Sequence, residues 1–336
     1  MNQTDAVFQC VPNFSEGRDA AVVAAIADAV RQTSGALLID FSADPDHNRS
    51  VATILGSADG ILRAVLAAAR VALTHIDLRV HSGAHPRLGA IDVVPVIPLR
   101  GAGPPEAMAV AEAIGAALAA ELELPVYFYE RNARPGREAA LPALRRGGFE
   151  AIRDAHPRQP GIRNQEPIVR HGGFEAIRDA PLTGRRLPDL GPSRAHSTAG
   201  ATVVGARGPL VAYNVNLIGG SEAQAREIAA AIRRDRSTHP DLAGVRALGL
   251  WLPSRGVAQI SMNLTQPDRT PLPAVFAYVA RQAARHGIAV LESEIIGVIP
   301  EAALAAQPPA VINWHTFQRS QILDTWLNAT ACRAAG

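Results

Sequence analysis

The sequence predicts an α+β fold in two halves, and three observations lead there. Short apolar, β-branched runs alternate with long segments of helical periodicity through the first third of the 336 residues. The same alternation returns in the last third, with turn residues between paired apolar runs. The length suits two medium units, each able to bury its own core. Two strands and a helix, repeated twice, describe an α+β sandwich with helices on one sheet face, as in ferredoxin-like units. The expected halves are residues 1–206 and 207–336.

In chain order, Val7 to Val11 reads as a strand. Asp19 then caps a helix whose Val22, Val23, Ile26 and Val30 recur at helical spacing, and Gly35 stops it. Ala36 to Asp40 and Ser50 to Gly56 are the next strands. The helix that follows carries Ile61, Leu62, Val65, Leu66 and Leu73 on one broad face. Asp77 to His81 and Ile91 to Pro98 are expected strands on either side of a glycine-rich connection. Pro104 and Pro105 suit the first turn of a helix with Val110, Ile114, Leu118 and Leu122 four residues apart. Pro125 to Tyr129 closes this set as a strand. In the last third, Ala201 to Gly205 and Leu210 to Leu217 read as a hairpin across Arg207-Gly208-Pro209. Ser221 with Gln224 forms a capping-box pattern ahead of a helix ending near Asp235. Arg246 to Leu252 and Val257 to Leu264 form a second hairpin across Pro253 to Gly256. A helix from Pro273 to His286 ends at Gly287, and Ala289 to Glu294 is the last strand.

Between the halves, GGFEAIRDA occurs at 147–155 and again at 172–180. Solenoids need three or more degenerate repeats, so one identical copy reads as a local duplication, with one copy surplus. The spacer HPRQPGIRNQEPIVR is rich in Pro, Arg and Gln, the composition of a surface excursion rather than of a core.

Composition excludes several chemistries. All 33 basic residues are arginine, so no reaction can run through a lysine Schiff base or a Walker A lysine. The net charge of +2 is small and the arginines are scattered, which argues against nucleic acid as a partner. Cys10 and Cys332 lack metal-ligand spacing and offer no disulfide framework, which fits a reducing, cytoplasmic setting. The first residues lack a secretory pattern, and no uncharged apolar run is long enough to span a bilayer, so no membrane association is expected.

Four clusters carry the candidate chemistry. The densest is VHSGAHPRLGAIDVVP, where His81 and His85 stand four apart in a loop with Gly83, Pro86, Arg87 and Gly89. A histidine in such a loop either satisfies a local turn or moves a proton near neutral pH. Zinc ligation would need a helix, which Gly83 and Pro86 oppose, and the Glu of HExxH is absent. DFSADPDHNR, residues 40–49, is either a turn or a site wall at a strand end. VPNFSEGR, residues 11–18, is either a helix-entry turn or an anion site made of backbone N–H groups and Arg18. GPSRAHSTAG, residues 191–200, is a hydroxyl-rich loop that reads alone only as a linker.

Taken in order, VPNFSEGR, HNRSV, HSGAHPRLGAIDVVPVIP, LPVYFY, DLGPS, ATVVGAR and YNVNL resemble the glutamate formiminotransferase family, including the transferase part of its bifunctional cyclodeaminase relatives. The resemblance runs from about residue 7 to about Leu327. It implies two α/β subdomains with facing sheets and outer helices, a homodimer, and a folate site between the subdomains. It also implies a stand-alone transferase, because the cyclodeaminase part of the bifunctional relatives has no counterpart here. The family's catalytic histidine, in HPR, falls on His85. Its folate-binding loop falls on Gly191, Pro192, Ser193, Arg194, Ala195, His196, Ser197, Thr198, Ala199 and Gly200. The implied reaction moves a formimino group between N-formimino-L-glutamate and tetrahydrofolate, giving 5-formiminotetrahydrofolate and L-glutamate, in histidine degradation and one-carbon metabolism.

That chemistry needs a base to deprotonate the attacking amine and an acid to protonate the leaving nitrogen, which one histidine can supply in sequence. A carboxylate near the cationic amidine is expected at Asp40, and arginines holding substrate carboxylates at Arg49 and Arg87. Asn13 and His81 complete the expected substrate-binding set. Tetrahydrofolate serves as co-substrate and no metal is needed. The sequence departs from the family at Ser42, where a second acid is common, at Ala84, where Glu commonly precedes the histidine, and at Ala199, where an aromatic residue can stand. The competing readings are a relative acting on 5-formyltetrahydrofolate, a non-catalytic folate-binding homologue and a metal-dependent hydrolase.

Overall fold

The computed structural model describes residues 6–83, 87–137, 139–141, 144, 182 and 187–334. The chain divides into two compact units, Met1–Arg207 and Gly208–Gly336.

The first unit holds β1 (Phe8–Cys10), β2 (Asn13–Phe14), α1 (Ala20–Arg31), β3 (Ala36–Asp44), β4 (Arg49–Gly56), α2 (Ala58–His75), β5 (Ile91–Pro98), α3 (Pro104–Leu122), β6 (Val126–Phe128) and β7 (Thr202–Ala206). β1 and β2 are one line of chain interrupted at Val11-Pro12, and both pair antiparallel with β4 on one side and β5 on the other. With β3 on the outer side of β4, the order β3-β4-β1/β2-β5 is the ferredoxin-like arrangement. β7 then pairs parallel with β5, and β6 parallel with β7, extending the sheet at one edge. Alternation decides which face each side chain takes. Phe8, Cys10, Ile54, Val94, Val96 and Val204 share one core with Ile26, Val65 and Ile114 of the three helices. Val93, Tyr127, Tyr129 and Val203 point the other way, into a smaller cluster with Leu88 and Leu182.

The second unit holds β8 (Val211–Ile218), α4 (Glu222–Asp235), β9 (Val245–Leu252), β10 (Val257–Leu264), α5 (Leu272–Arg285), β11 (Ala289–Ile296) and α6 (Leu323–Ala334). Its sheet runs β11-β8-β10-β9 with every pair antiparallel, the ferredoxin-like order again. Ser221 caps α4 as the sequence predicts: its Oγ accepts from Gln224 N at 3.2 Å while Gln224 Oε1 accepts from Ser221 N at 2.9 Å. Tyr213, Val215, Ile260 and Met262 pack with Ile228, Ile232 and Val279 of the helices. No helix among the described residues is long and apolar enough to cross a membrane.

Four expectations need correcting. Asp77 to His81 is a turn, not a strand, because Asp77 Oδ1 accepts from both the backbone N and the Nε of Arg79 at 2.9 Å and bends the chain. The expected hairpin over 201–217 does not exist: β7 lies in the first sheet and β8 in the second. All five residues of β7 are buried, the mark of a strand covered on both faces in a parallel sheet rather than of a half-exposed hairpin arm. β3 runs on through Asp44, so Asp40 is a strand residue and the turn begins at Pro45. The terminal helix α6 lies outside the expected elements. Both GGFEAIRDA copies fall in the connection from β6 to β7, outside the described residues.

Candidate functional site

The first sheet brings three polar side chains from separate strands together. Arg49, opening β4, donates from Nε and Nη2 to Asn13 Oδ1 at 2.9 and 2.6 Å, and from Nη1 to Asp92 Oδ2 at 3.1 Å. Asn13 Nδ2 in turn donates to Val11 O at 2.7 Å. The Asp92 side chain is fully buried, and its second oxygen accepts from Leu88 N at 2.7 Å. A buried ion pair carries a desolvation cost that only good geometry and further hydrogen bonds offset, and here both carboxylate oxygens are engaged. Two of the expected substrate-binding residues, Asn13 and Arg49, are thus tied to each other. Asp92 escaped the sequence reading, although an acid inside the apolar run IDVVPVIP was the signal for it.

A second centre links Asn48, His81 and Arg87 in series. Asn48 has φ 47° and is buried, and its side chain accepts from Gly17 N and donates to Ser82 O, both at 3.0 Å. Its carbonyl lies 3.1 Å from His81 Nε2. A carbonyl only accepts, so Nε2 carries the proton and Nδ1 presents its lone pair. Among the described residues that Nδ1 is buried with no hydrogen-bond partner. Burial, followed by the Arg87 charge, pushes the His81 pKa below its usual value. Arg87 is itself buried and donates from Nη2 to His81 O at 2.6 Å. Gly83 is needed for this approach, since a Cβ there would stand 2.3 Å from His47 O. His85 lies outside the described residues.

The 191–200 loop joins the same region, although more than a hundred residues separate it from His81. Leu78 N donates to Thr198 O and Ala90 N to Ala199 O, both at 2.9 Å, and Ala201 N donates to Leu88 O at 3.2 Å. Gly89 bridges Gly200, where a Cβ on Gly89 would come within 2.0 Å of Ala201 O. Inside the loop, His196 and Gly200 exchange backbone hydrogen bonds at 2.8 and 2.9 Å, and His196 Nδ1 accepts from Ala199 N at 3.1 Å. Burial also lowers the His196 pKa. Gly191 to Arg194 are exposed, whereas Ala199 and Gly200 are buried.

Asp40 stands on β3 opposite Thr53 of β4. Its Oδ2 is buried without a hydrogen-bond partner among the described residues, as are Ser42 Oγ and Thr53 Oγ1, and burial raises its pKa. A cation seated against Oδ2 would offset that cost. The N–H groups entering α1 are occupied: Glu16 Oε1 accepts from Gly17, Arg18 and Asp19 at 2.9, 2.7 and 2.9 Å. The anion at this helix entry is therefore the chain's own carboxylate, and Arg18 Nε donates to Pro45 O at 2.8 Å.

Comparison with known proteins identifies the family of both units. Residues 7–207 match the formiminotransferase domain, N-terminal subdomain, and residues 212–313 match the formiminotransferase domain. Glutamate formimidoyltransferase of Thermoplasma acidophilum is 34% identical over 97% of this chain and 99% of its own length. The protein of the same name from Streptococcus pyogenes is 33% identical over 96% and 98%. Rat formimidoyltransferase-cyclodeaminase is 38% identical over 88% of this chain, and the chain spans 50% of that relative's length. Both units match the family along most of their length: the chain belongs to the formiminotransferase family.

Proposed function

We propose that this protein is a glutamate formimidoyltransferase, moving the formimino group between N-formimino-L-glutamate and tetrahydrofolate. The observation that carries the reading is the match along 99% and 98% of two proteins of that name, each about as long as this chain. Residues 1–206 and 207–336 serve as its two subdomains, in a cytoplasmic homodimer.

The attacking amine must lose a proton and the departing nitrogen must gain one, and His85 is the group assigned to both. The buried acceptor row at Asp40 supports a cationic amidine being held at the first sheet. The lone pair on His81 Nδ1 supports a further acceptor facing a substrate N–H. In this reading Asn13 positions Arg49, Arg49 and Arg87 favour substrate carboxylates, and Gly191 to Gly200 bind tetrahydrofolate as co-substrate.

Glutamate release from formiminoglutamate in the presence of tetrahydrofolate tests the reading. Turnover is expected, and its absence while folate still binds would overturn it. His85→Ala should lower kcat by about 100-fold or more with folate affinity retained.

A further inference from the structure

The turn between β3 and β4 holds a residue outside the substrate and folate sets. Asn48 has φ 47° and is only 6% exposed. A left-handed backbone is met at least as well by glycine, so conformation alone does not account for this side chain. Its polar atoms reach distant parts of the chain instead. Oδ1 accepts from Gly17 N, 31 residues back, and Nδ2 donates to Ser82 O, 34 residues on, both at 3.0 Å.

These bonds fall at the neck of the loop that runs from His81 to Arg87. Asn48 O meets His81 Nε2 at 3.1 Å, Asn48 Nδ2 holds Ser82 O, and Arg87 Nη2 closes the other side on His81 O at 2.6 Å. His85 stands in sequence between the two sides of that neck. One residue thus fixes the tautomer of His81 with its carbonyl and the chain at Ser82, three residues ahead of His85, with its side chain. An amide suits the place: it is neutral, so it is buried without a counter-charge, and it offers a donor and an acceptor from one planar group. An ionised aspartate only accepts, and glycine does neither.

We propose that Asn48 is a positioning residue of the transfer reaction, acting through His81 and through the chain that leads to His85, and that it governs turnover rather than substrate affinity. The proposal rests on the transferase reading. Proton transfer depends steeply on where donor and acceptor stand, and a displacement of about 1 Å originating away from the chemistry can cost about 100-fold in rate. Asn48 is assigned no substrate contact, so its loss is read in kcat and not in KM.

Steady-state glutamate release and 15N–1H correlation spectra of the histidine rings test this on the full chain, as wild type, Asn48→Gly and Asn48→Asp. Glycine keeps the left-handed backbone and loses both side-chain bonds, whereas aspartate keeps the acceptor for Gly17 N and loses the donor to Ser82 O. Both variants should lower kcat about tenfold or more, with KM for each substrate within about twofold of wild type. Both should also turn the single Nε2–H tautomer of His81, identified by its loss in His81→Asn, into a mixture of tautomers. Asn48→Gly decides the matter if the buried carboxylate of Asn48→Asp prevents a cooperative melt. Unchanged kcat, a KM that changes as much as kcat, or a His81 ring signal identical to wild type overturns the proposal. Absence of glutamate release by the wild type counts against the transferase reading instead, and the ring signal then decides the positioning role by itself.

Discussion

At the scale of single residues, burial sets what each polar group does. Asp92 and Arg49 neutralise each other inside the sheet, so Asp92→Ala strands a buried guanidinium and should cost about 3–5 kcal/mol, read from urea unfolding. Asp40 behaves oppositely. Its folded pKa is raised by burial, so its contribution to stability is present below its unfolded pKa and lost as pH rises through the folded value. Asp40→Asn should therefore raise Tm at pH 7 and leave it nearly unchanged near pH 3, while weakening binding of the formimino donor. For His81 the folded pKa is depressed. Above the unfolded value of about 6.5 both states are neutral, and as pH falls below it the unfolded chain takes up the proton first. Stability from His81 is thus complete above that pH and declines below it, and His81→Asn should flatten this part of the urea-stability profile.

At the scale of elements, periodicity and caps were readable where each element buries one face against its neighbours. The helices α1 to α5 lie within a few residues of their expected positions because Asp19, Ser221 and the early prolines mark the starts of α1, α3, α4 and α5 and the apolar face marks α2. β7 lies where a strand is expected, but its pairing does not follow from TVVGA: a strand buried on both faces carries no period-two signal, and its partners β5 and β6 are remote in sequence. The 191–200 loop illustrates the same limit, since its place beside Leu78 to Ala90 rests on backbone hydrogen bonds that leave no mark on residue type. Gly89 is the exception, as it admits the close approach to Ala201. Gly89→Ala should separate the two segments and cost about 1–3 kcal/mol, checked by thermal unfolding, with weakened folate binding.

At the scale of the whole molecule, each unit has its own core and its own ferredoxin-like sheet. The repeat of GGFEAIRDA lies in one connection of the first unit, and deleting residues 156–180 restores a single copy. That deletion should leave glutamate release within about twofold of the parent, because loop length changes are thermodynamically mild. The residues alone determined the α+β class, the helices, most strands and the family resemblance, because hydrophobic period, caps and motif order are local properties. Tertiary structure alone decided that β7 belongs to the first sheet, that Asp92 completes the Asn13–Arg49 pair and that Asp40 Oδ2 lies buried on β3 without a hydrogen-bond partner among the described residues. Each of these depends on which distant strands become neighbours and on what burial leaves unpaired, and neither is encoded in the spacing of residues along the chain.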